Sequence, residues 1–299
     1  MTKMTANFLM LITALIWGTT FIAQTTGMDT IGPLSFTAAR YAIGMVVMIP
    51  LALWESKKTN LAMECKSQPK LWKGALLLGV LMFGGIALQQ TALLYTKVAN
   101  AAFLTALYVP AVPLMTWLLS REPIGLPIWL ALILSIAGSY LLSGNAGFDA
   151  QVADILVALG ALFWAAHIIA IGIVTRMVAA PLQLAFVQNA VCALLALVGA
   201  VVIEAPQLIN FLPVWKELFY AGAISVGIAY TLQLVAQRHA NTTAAAFLLS
   251  LEAVFAAIAG WLFLSETLSV MAIIGCVLIF VAVLLADVVP RSWFEIKKT

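Results

Sequence analysis

Charge is what this chain of 299 residues has least of. Lysine, arginine, aspartate and glutamate together make up 9% of it, against roughly a quarter in ordinary soluble domains. A water-soluble fold cannot hide a composition that is 64% apolar, so the solvent around this one is lipid. The formal charge of +3 is too small to suggest nucleic acid, and the basic residues form no patch interleaved with aromatics. Cysteine is also scarce. Cys65, Cys192 and Cys276 lie far apart and follow no metal-ligand spacing, which excludes a disulfide framework and a zinc site. Cys192 and Cys276 fall inside apolar runs, where cysteine is a small buried hydrophobe. The chain lacks a glycine-rich phosphate loop, a pair of carboxylates at working spacing and a His-Cys-Asp cluster. Neither ATP-driven work nor a catalytic centre is therefore expected of it, and no cofactor or metal site is indicated.

What the chain has instead is long hydrophobic runs, and it has ten of them. A membrane span needs about 20 mostly apolar residues, and such runs lie near 6–26, 33–54, 74–95, 98–119, 126–143, 152–175, 181–203, 216–237, 241–264 and 269–286. The first run could pass for a signal-peptide core. It is followed by a whole chain of similar spans, so it reads as a retained first helix. Pro33 and Pro181 each open a helix, where a missing N–H costs least. Asn100 and Asn241 are natural N-caps for the fourth and ninth helices. Turns are marked at Gly27-Met28-Asp29, at Arg121-Glu122-Pro123 and at the Ser143-to-Gly147 stretch.

The runs repeat. A shift of 144 positions lays Leu88 to Glu122 on Leu232 to Glu266, matching Gln89 with Gln233, Ala92 with Ala236, Phe103 with Phe247 and Trp117 with Trp261. Trp17 pairs with Trp164 at a shift of 147, and Pro33-Leu34 with Pro181-Leu182 at a shift of 148. The halves, 1–145 and 146–299, each carry five helices. Five is odd, so the second half enters the membrane in the opposite sense to the first. The expected fold is an all-α polytopic membrane protein of ten transmembrane helices in a 5+5 inverted repeat, whose shared centre is the usual place for a solute.

Orientation follows from the basic residues. With the N-terminus inside, the cytoplasmic side receives Lys3, Lys57, Lys58, Lys66, Lys70, Lys73, Arg121, Arg176, Arg238, Arg291, Lys297 and Lys298. The outside receives only Lys97 and Lys216, while Arg40 falls within the second span. Both termini are expected in the cytoplasm.

Ten spans, the five-plus-five repeat, Ile16-Trp17-Gly18, Pro33 followed by Arg40, and helices ending in Trp117-to-Glu122 and Trp261-to-Glu266 resemble the drug/metabolite transporter superfamily. The resemblance covers essentially the whole chain and is nearest to the EamA-type exporters, which include bacterial amino-acid exporters. It implies a transporter without covalent cofactor in a bacterial inner membrane, moving metabolites, amino acids or drugs outwards. It also implies a central cavity lined by helices one, three, four, six, eight and nine. Two features depart from the family pattern. Ala253 follows Glu252 where the family often has proline, and Pro110 and Pro113 of the fourth helix face Val254 and Ala257 in the ninth. If these prolines serve gating, the two halves are expected to bend unequally.

Intramembrane polar groups are the first candidates for the work, because a charge at mid-bilayer costs about 2.5–3.5 kcal/mol on insertion scales. Glu252 stands mid-helix in the ninth run and is aligned with Tyr108. It is expected to bind an amine or cation or to take up a proton, unless it merely ties helices together. Arg40, aligned with Gln188, is either a clamp for a substrate carboxylate or gate pair, or a fixed tie between helices. Gln89 and Gln233, with Gln90 and Gln237 nearby, offer uncharged donors and acceptors to a polar solute or to each other across helices. Trp17 and Trp164 are candidate cavity walls able to stack on a cation or ring. His167 shares a face with Trp164 and is a candidate proton relay or a plain hydrogen-bonding partner. Tyr108, Tyr230 and Tyr95 are further candidates, and Gly84, Gly85, Gly222 and Gly227 permit close helix packing or bending.

The chain thus reads as a secondary exporter of a small metabolite, driven by a gradient of the substrate, of protons or of an exchanged solute. Its partners are that small molecule and membrane lipid, and it works as a monomer or homodimer. Alternatives are an importer or exchanger of an amine or drug-like cation, a channel, and an intramembrane enzyme acting on lipid. Reporter fusions test the frame: tags at both ends should report from the cytoplasm, and opposite faces for the two ends would break the odd-number repeat.

Overall fold

The computed structural model describes residues 1–59, 68–96, 98–121, 124–143, 152–178, 180–263 and 267–288. Cys65, Lys66, Lys97, Glu122, Glu266, Arg291, Lys297, Lys298 and most of the Ser143-to-Gly147 turn lie outside these residues, as does the side chain of Asn100. Among the described residues the regular structure is all helical. The helices are α1 (Lys3–Thr26), α2 (Pro33–Thr59), α3 (Gln68–Ala92), α4 (Val98–Thr105), α5 (Tyr108–Ser120), α6 (Leu126–Leu142), α7 (Val152–Met177), α8 (Pro181–Ile203), α9 (Trp215–Phe219), α10 (Tyr230–Gln237), α11 (Thr242–Leu249), α12 (Leu251–Phe263) and α13 (Val270–Val288). A π-helix at Tyr220–Ala229 joins α9 to α10. They make ten spans, because α4 with α5, α9 with α10, and α11 with α12 each cross as one. At 1.5 Å per residue, the 24 residues of α1 exceed a hydrocarbon core of about 30 Å.

The packing is that of an inverted repeat. α2 packs along α8 and α6 along α13, each joining a helix to its own repeat mate. The other contacts come in related pairs: α1 against α12 mirrors α7 against α4 and α5, and α3 on α8 mirrors the π-segment on α2. The outer faces carry exposed Trp129, Leu130 and Ile133 on α6 and Val277 and Phe280 on α13, as suits a surface whose solvent is lipid. The predicted glycines Gly84, Gly85, Gly222 and Gly227 all stand at close helix contacts.

Two expected single helices are broken, at equivalent places. In the fourth span the Val109 N–H donates to Ala106 O at 3.0 Å; in the ninth the Ala253 N–H donates to Ser250 O at 3.2 Å. These three-residue bonds tighten the turn locally, and a shift of 144 carries one onto the other. The causes differ. Pro110 has no N–H to reach Ala106 O, so that carbonyl is free for Val109. In the ninth span the Ser250 hydroxyl bonds back to Phe247 O at 2.7 Å, a local competitor of the helix ladder. The two halves, unequal in proline, break at the same point. The expected place of Glu252 is corrected, from mid-helix to the first turn of α12.

The eighth span is wound loosely over Tyr220–Ala229, whereas its mate α3 is regular. Helix α1 supplies donors to the loosened turns: Thr13 Oγ1 donates to Ala229 O at 3.3 Å and Trp17 Nε1 to Ser225 O at 3.4 Å. Pro33 and Pro181 open α2 and α8 as expected. Asn241 caps α11, its Oδ1 accepting from Thr243 N and Ala244 N at 2.8 and 3.3 Å. Asn100 does not precede its helix, because α4 already begins at Val98. A cap preference of about 1 kcal/mol yields where the chain packs on α7. Asn241→Ala should therefore lower stability by about 1 kcal/mol, read as a thermal shift in detergent.

Candidate functional site

Among the described residues a cavity lies between the halves, and one corner of it is set by the two helix breaks. Tyr108 begins α5 and Glu252 stands in the first turn of α12, so the repeat brings the two aligned residues into one space. The Tyr108 hydroxyl lies beside the Glu252 carboxylate without closing a normal hydrogen bond to it. Thr105 and Leu249, the residues that end α4 and α11, line the same space. Helix α1 can approach this corner because residue 18 is glycine: a Cβ there would stand 2.5 Å from Glu252 O.

Aromatic rings make the walls. Trp17 of α1 and Trp164 of α7 flank Tyr230 of α10, with ring centroids 4.7 Å and 6.4 Å from it; the Trp164 ring is nearly parallel to it, at 18°. The Tyr41 hydroxyl donates to the Tyr230 hydroxyl at 3.1 Å. Trp164 Nε1 donates to Gln89 Oε1 at 2.9 Å, which fixes both side chains. Gln233 lines the cavity with a buried Oε1 that lacks a partner, while its Nε2 reaches Gln237 Oε1 at 3.4 Å. The neighbouring amides serve the scaffold: Gln90 Nε2 donates to Gln24 O at 3.3 Å and Gln237 Nε2 to Ile168 O.

Arg40 reaches the cavity from α2. It is 2% exposed, and its Nε has no hydrogen-bond partner. Its guanidinium lies against the rings of Phe36 and Tyr41, with Cζ 5.7 and 5.2 Å from their centroids. Among the described residues no carboxylate pairs with it. A buried guanidinium without an anion is expensive, and the open space beside it is where an anion would sit. The space is small. About 50 Å³ is open to the centres of water molecules, room for about three to five waters.

Of the residues singled out from sequence, Trp17, Gln89, Tyr108, Trp164, Tyr230, Gln233, Glu252 and Arg40 come together here. His167 does not line the cavity. It stands behind the wall, its ring edge-on to Trp164 at 5.9 Å and its Nε2 3.3 Å from Gln188 Oε1. Pro110 and Pro113 also lie off the lining, within α5 past the break. Tyr95 is 70% exposed, because α3 ends at Ala92 and leaves it on the turn outside the cavity; its candidacy is withdrawn. Sequence reasoning missed Thr20, Gln24 and Ser225. Thr20 and Gln24 follow Trp17 at helical spacing and were available to a reading of that face, whereas Ser225 enters through the loosely wound π-segment.

A ten-span repeat around a cavity between its halves is an architecture of membrane transporters. The particular family follows from comparison. The profile of the EamA-like transporter family matches residues 4–144 and again residues 151–286, and this chain belongs to that family. It is a membrane transporter, not an enzyme. It is 29% identical to an uncharacterized transporter of Archaeoglobus fulgidus over 286 residues, 95% of this chain and 86% of that one. It is 26% identical to the uncharacterized transporter YwfM of Bacillus subtilis, over 96% and 95% of the two chains. A crystal structure of another protein shares the fold with a TM-score of 0.79, covering 95% of this chain and 98% of that one at 19% identity.

Enlarging Gly18 tests the close approach at the cavity. Gly18→Val should push α12 from α1 and cost about 1–3 kcal/mol as overpacking. A chain as stable to heat as wild type would show that the α1–α12 contact is looser than drawn here.

Proposed function

We propose that this transporter carries a small zwitterion, an amino acid or similar metabolite, out of the cytoplasm by alternating access. The observation that carries the reading is Arg40 and Glu252 on one small cavity with no ion pair between them. A guanidinium recognises a carboxylate, and Glu252 accepts the ammonium or, in its absence, a proton. Trp17, Trp164 and Tyr230 form the ring wall that a side chain would meet, and Gln89 and Gln233 satisfy polar groups without charge. His167, behind that wall, is a candidate relay for a coupled proton. The halves 1–145 and 146–299 exchange conformations, with Pro110 and Pro113 setting the stiffness of α5 beyond its break. Driving force comes from the gradient of the substrate, of protons or of a counter-solute. The basic residues support an inner-membrane orientation with both termini cytoplasmic, and one chain holds a whole pathway, alone or as a homodimer.

The aromatic wall also suits an importer or exchanger of an amine or drug-like cation. The buried positive charge of Arg40 opposes a substrate that is only cationic. Proteoliposomes given labelled amino acids, amines and organic acids, with and without a pH gradient, separate the two. Saturable flux of an amino acid, stimulated by the same solute on the far side, is expected. Glu252→Gln and Arg40→Gln should each lower it at least tenfold, and Arg40→Gln should spare a simple amine if the second reading holds. Flux by Glu252→Gln equal to wild type at every pH would remove that residue from the mechanism.

A further inference from the structure

Two carboxylates off the cavity, Glu55 and Glu204, sit at opposite ends of the α2–α8 pair. Glu204, directly after α8, turns onto the start of α2. The Leu34 N–H donates to its Oε1 at 2.8 Å, and the Ser35 N–H and Oγ to its Oε2 at 2.8 and 2.5 Å. Gly32 makes this possible, since a Cβ there would stand 2.3 Å from the carboxyl carbon. At the other membrane face Glu55, in the last turns of α2, serves the start of α8. The Gln183 N–H donates to its Oε2 at 2.8 Å, and the Leu182 N–H also bonds to the carboxylate. A shift of 148 carries Leu34 and Ser35 onto Leu182 and Gln183, and 149 carries Glu55 onto Glu204. The two caps are repeat mates.

Each carboxylate takes up N–H groups that have no partner inside their own helix and meets the positive end of that helix. The donor helix and the acceptor belong to different halves. Sliding α2 along α8 would strip each charged acceptor of two or three bonds, and such charge-assisted bonds are the strong ones. Both caps are closed together here, one at each face, and between them α2 and α8 are each a single helix, the one interior proline, Pro50, lying five residues before Glu55 at the capped end of α2. Deformable backbone lies elsewhere, in the breaks before Tyr108 and Glu252 and in the π-segment.

We infer that Glu55 and Glu204 are positioning residues that lock α2 and α8 into one rigid spine carrying Arg40. The conformational exchange takes place across the cavity, at the two helix breaks. This differs from a pair of latches that open in turn, one at each face.

The test needs no substrate, so it stands apart from the outcome of the flux assays. Spin-label pairs are placed in the full-length chain, with Cys65, Cys192 and Cys276 changed to alanine, in nanodiscs of phosphatidylethanolamine and phosphatidylglycerol. Leu34→Cys with Val202→Cys reports the Glu204 end of the spine, Lys58→Cys with Leu182→Cys the Glu55 end, and Leu119→Cys with Phe263→Cys the exposed ends of α5 and α12, beyond the two breaks. In acidic and alkaline buffer both spine pairs should keep one distance, moving by less than a helical turn of ~5.4 Å, while the third pair shows two. Glu204→Gln should broaden the first pair alone and Glu55→Gln the second alone. Spine pairs that split into two distances, a third pair that keeps a single one, or widths unchanged in both glutamine variants would each overturn the inference. The unsubstituted glutamates decide the matter even if a variant fails to fold.

Discussion

A backbone N–H or C=O in hydrocarbon has no water to turn to, so each must find a partner within the protein. Irregular backbone is therefore confined to places where protein or a polar cavity surrounds it. Both helix breaks obey this rule, since Thr105, Tyr108, Leu249 and Glu252 at the breaks all line the central cavity. The π-segment obeys it differently. Its carbonyls at Ser225 and Ala229 are met by Trp17 and Thr13 of α1, so the loosened turns are sealed by a neighbouring helix. Where the chain breaks and where the cavity lies are thus one location for one physical reason.

The same economy governs charge. Among the charged side chains on the packed helices, Glu55 and Glu204 stand at helix ends and accept backbone donors, while Arg40 and Glu252 stand on the cavity. The first pair accepts backbone N–H groups, whereas on the cavity Arg40 Nε has no partner. Gln233 Oε1 and the Tyr108 hydroxyl, buried without partners, belong with the second set.

Symmetry explains why so few residues account for so much. Tyr108 and Glu252, Trp17 and Trp164, Gln89 and Gln233, and the two carboxylate caps are each one ancestral position used twice in opposite orientation. The copies have since diverged in chemistry. Proline makes the break in one half and a serine hydroxyl makes it in the other, and arginine on α2 faces glutamine on α8. A cavity with unlike charges on its two sides is what such divergence produces.

The spans, the repeat and most of the cavity residues were legible in the sequence, because apolar length, odd helix number and charge scarcity are consequences of the bilayer alone. Tyr95 and Asn100 were misread because helix ends shift by a residue or two under packing, which periodicity does not register. His167 shares a face with Trp164, but the thickness of the Trp164 ring places it behind the wall. Nothing in the sequence singled out Glu55 or Glu204; the docking of α2 on α8 brings each to the other helix's first turn. Composition and repeat therefore determined that this is a two-fold membrane bundle with its polar residues near the middle. Only the tertiary contacts decided which of those residues are spent on one another and which remain open to a solute, because hydrogen-bond partnership depends on ångström-scale proximity between segments more than a hundred residues apart.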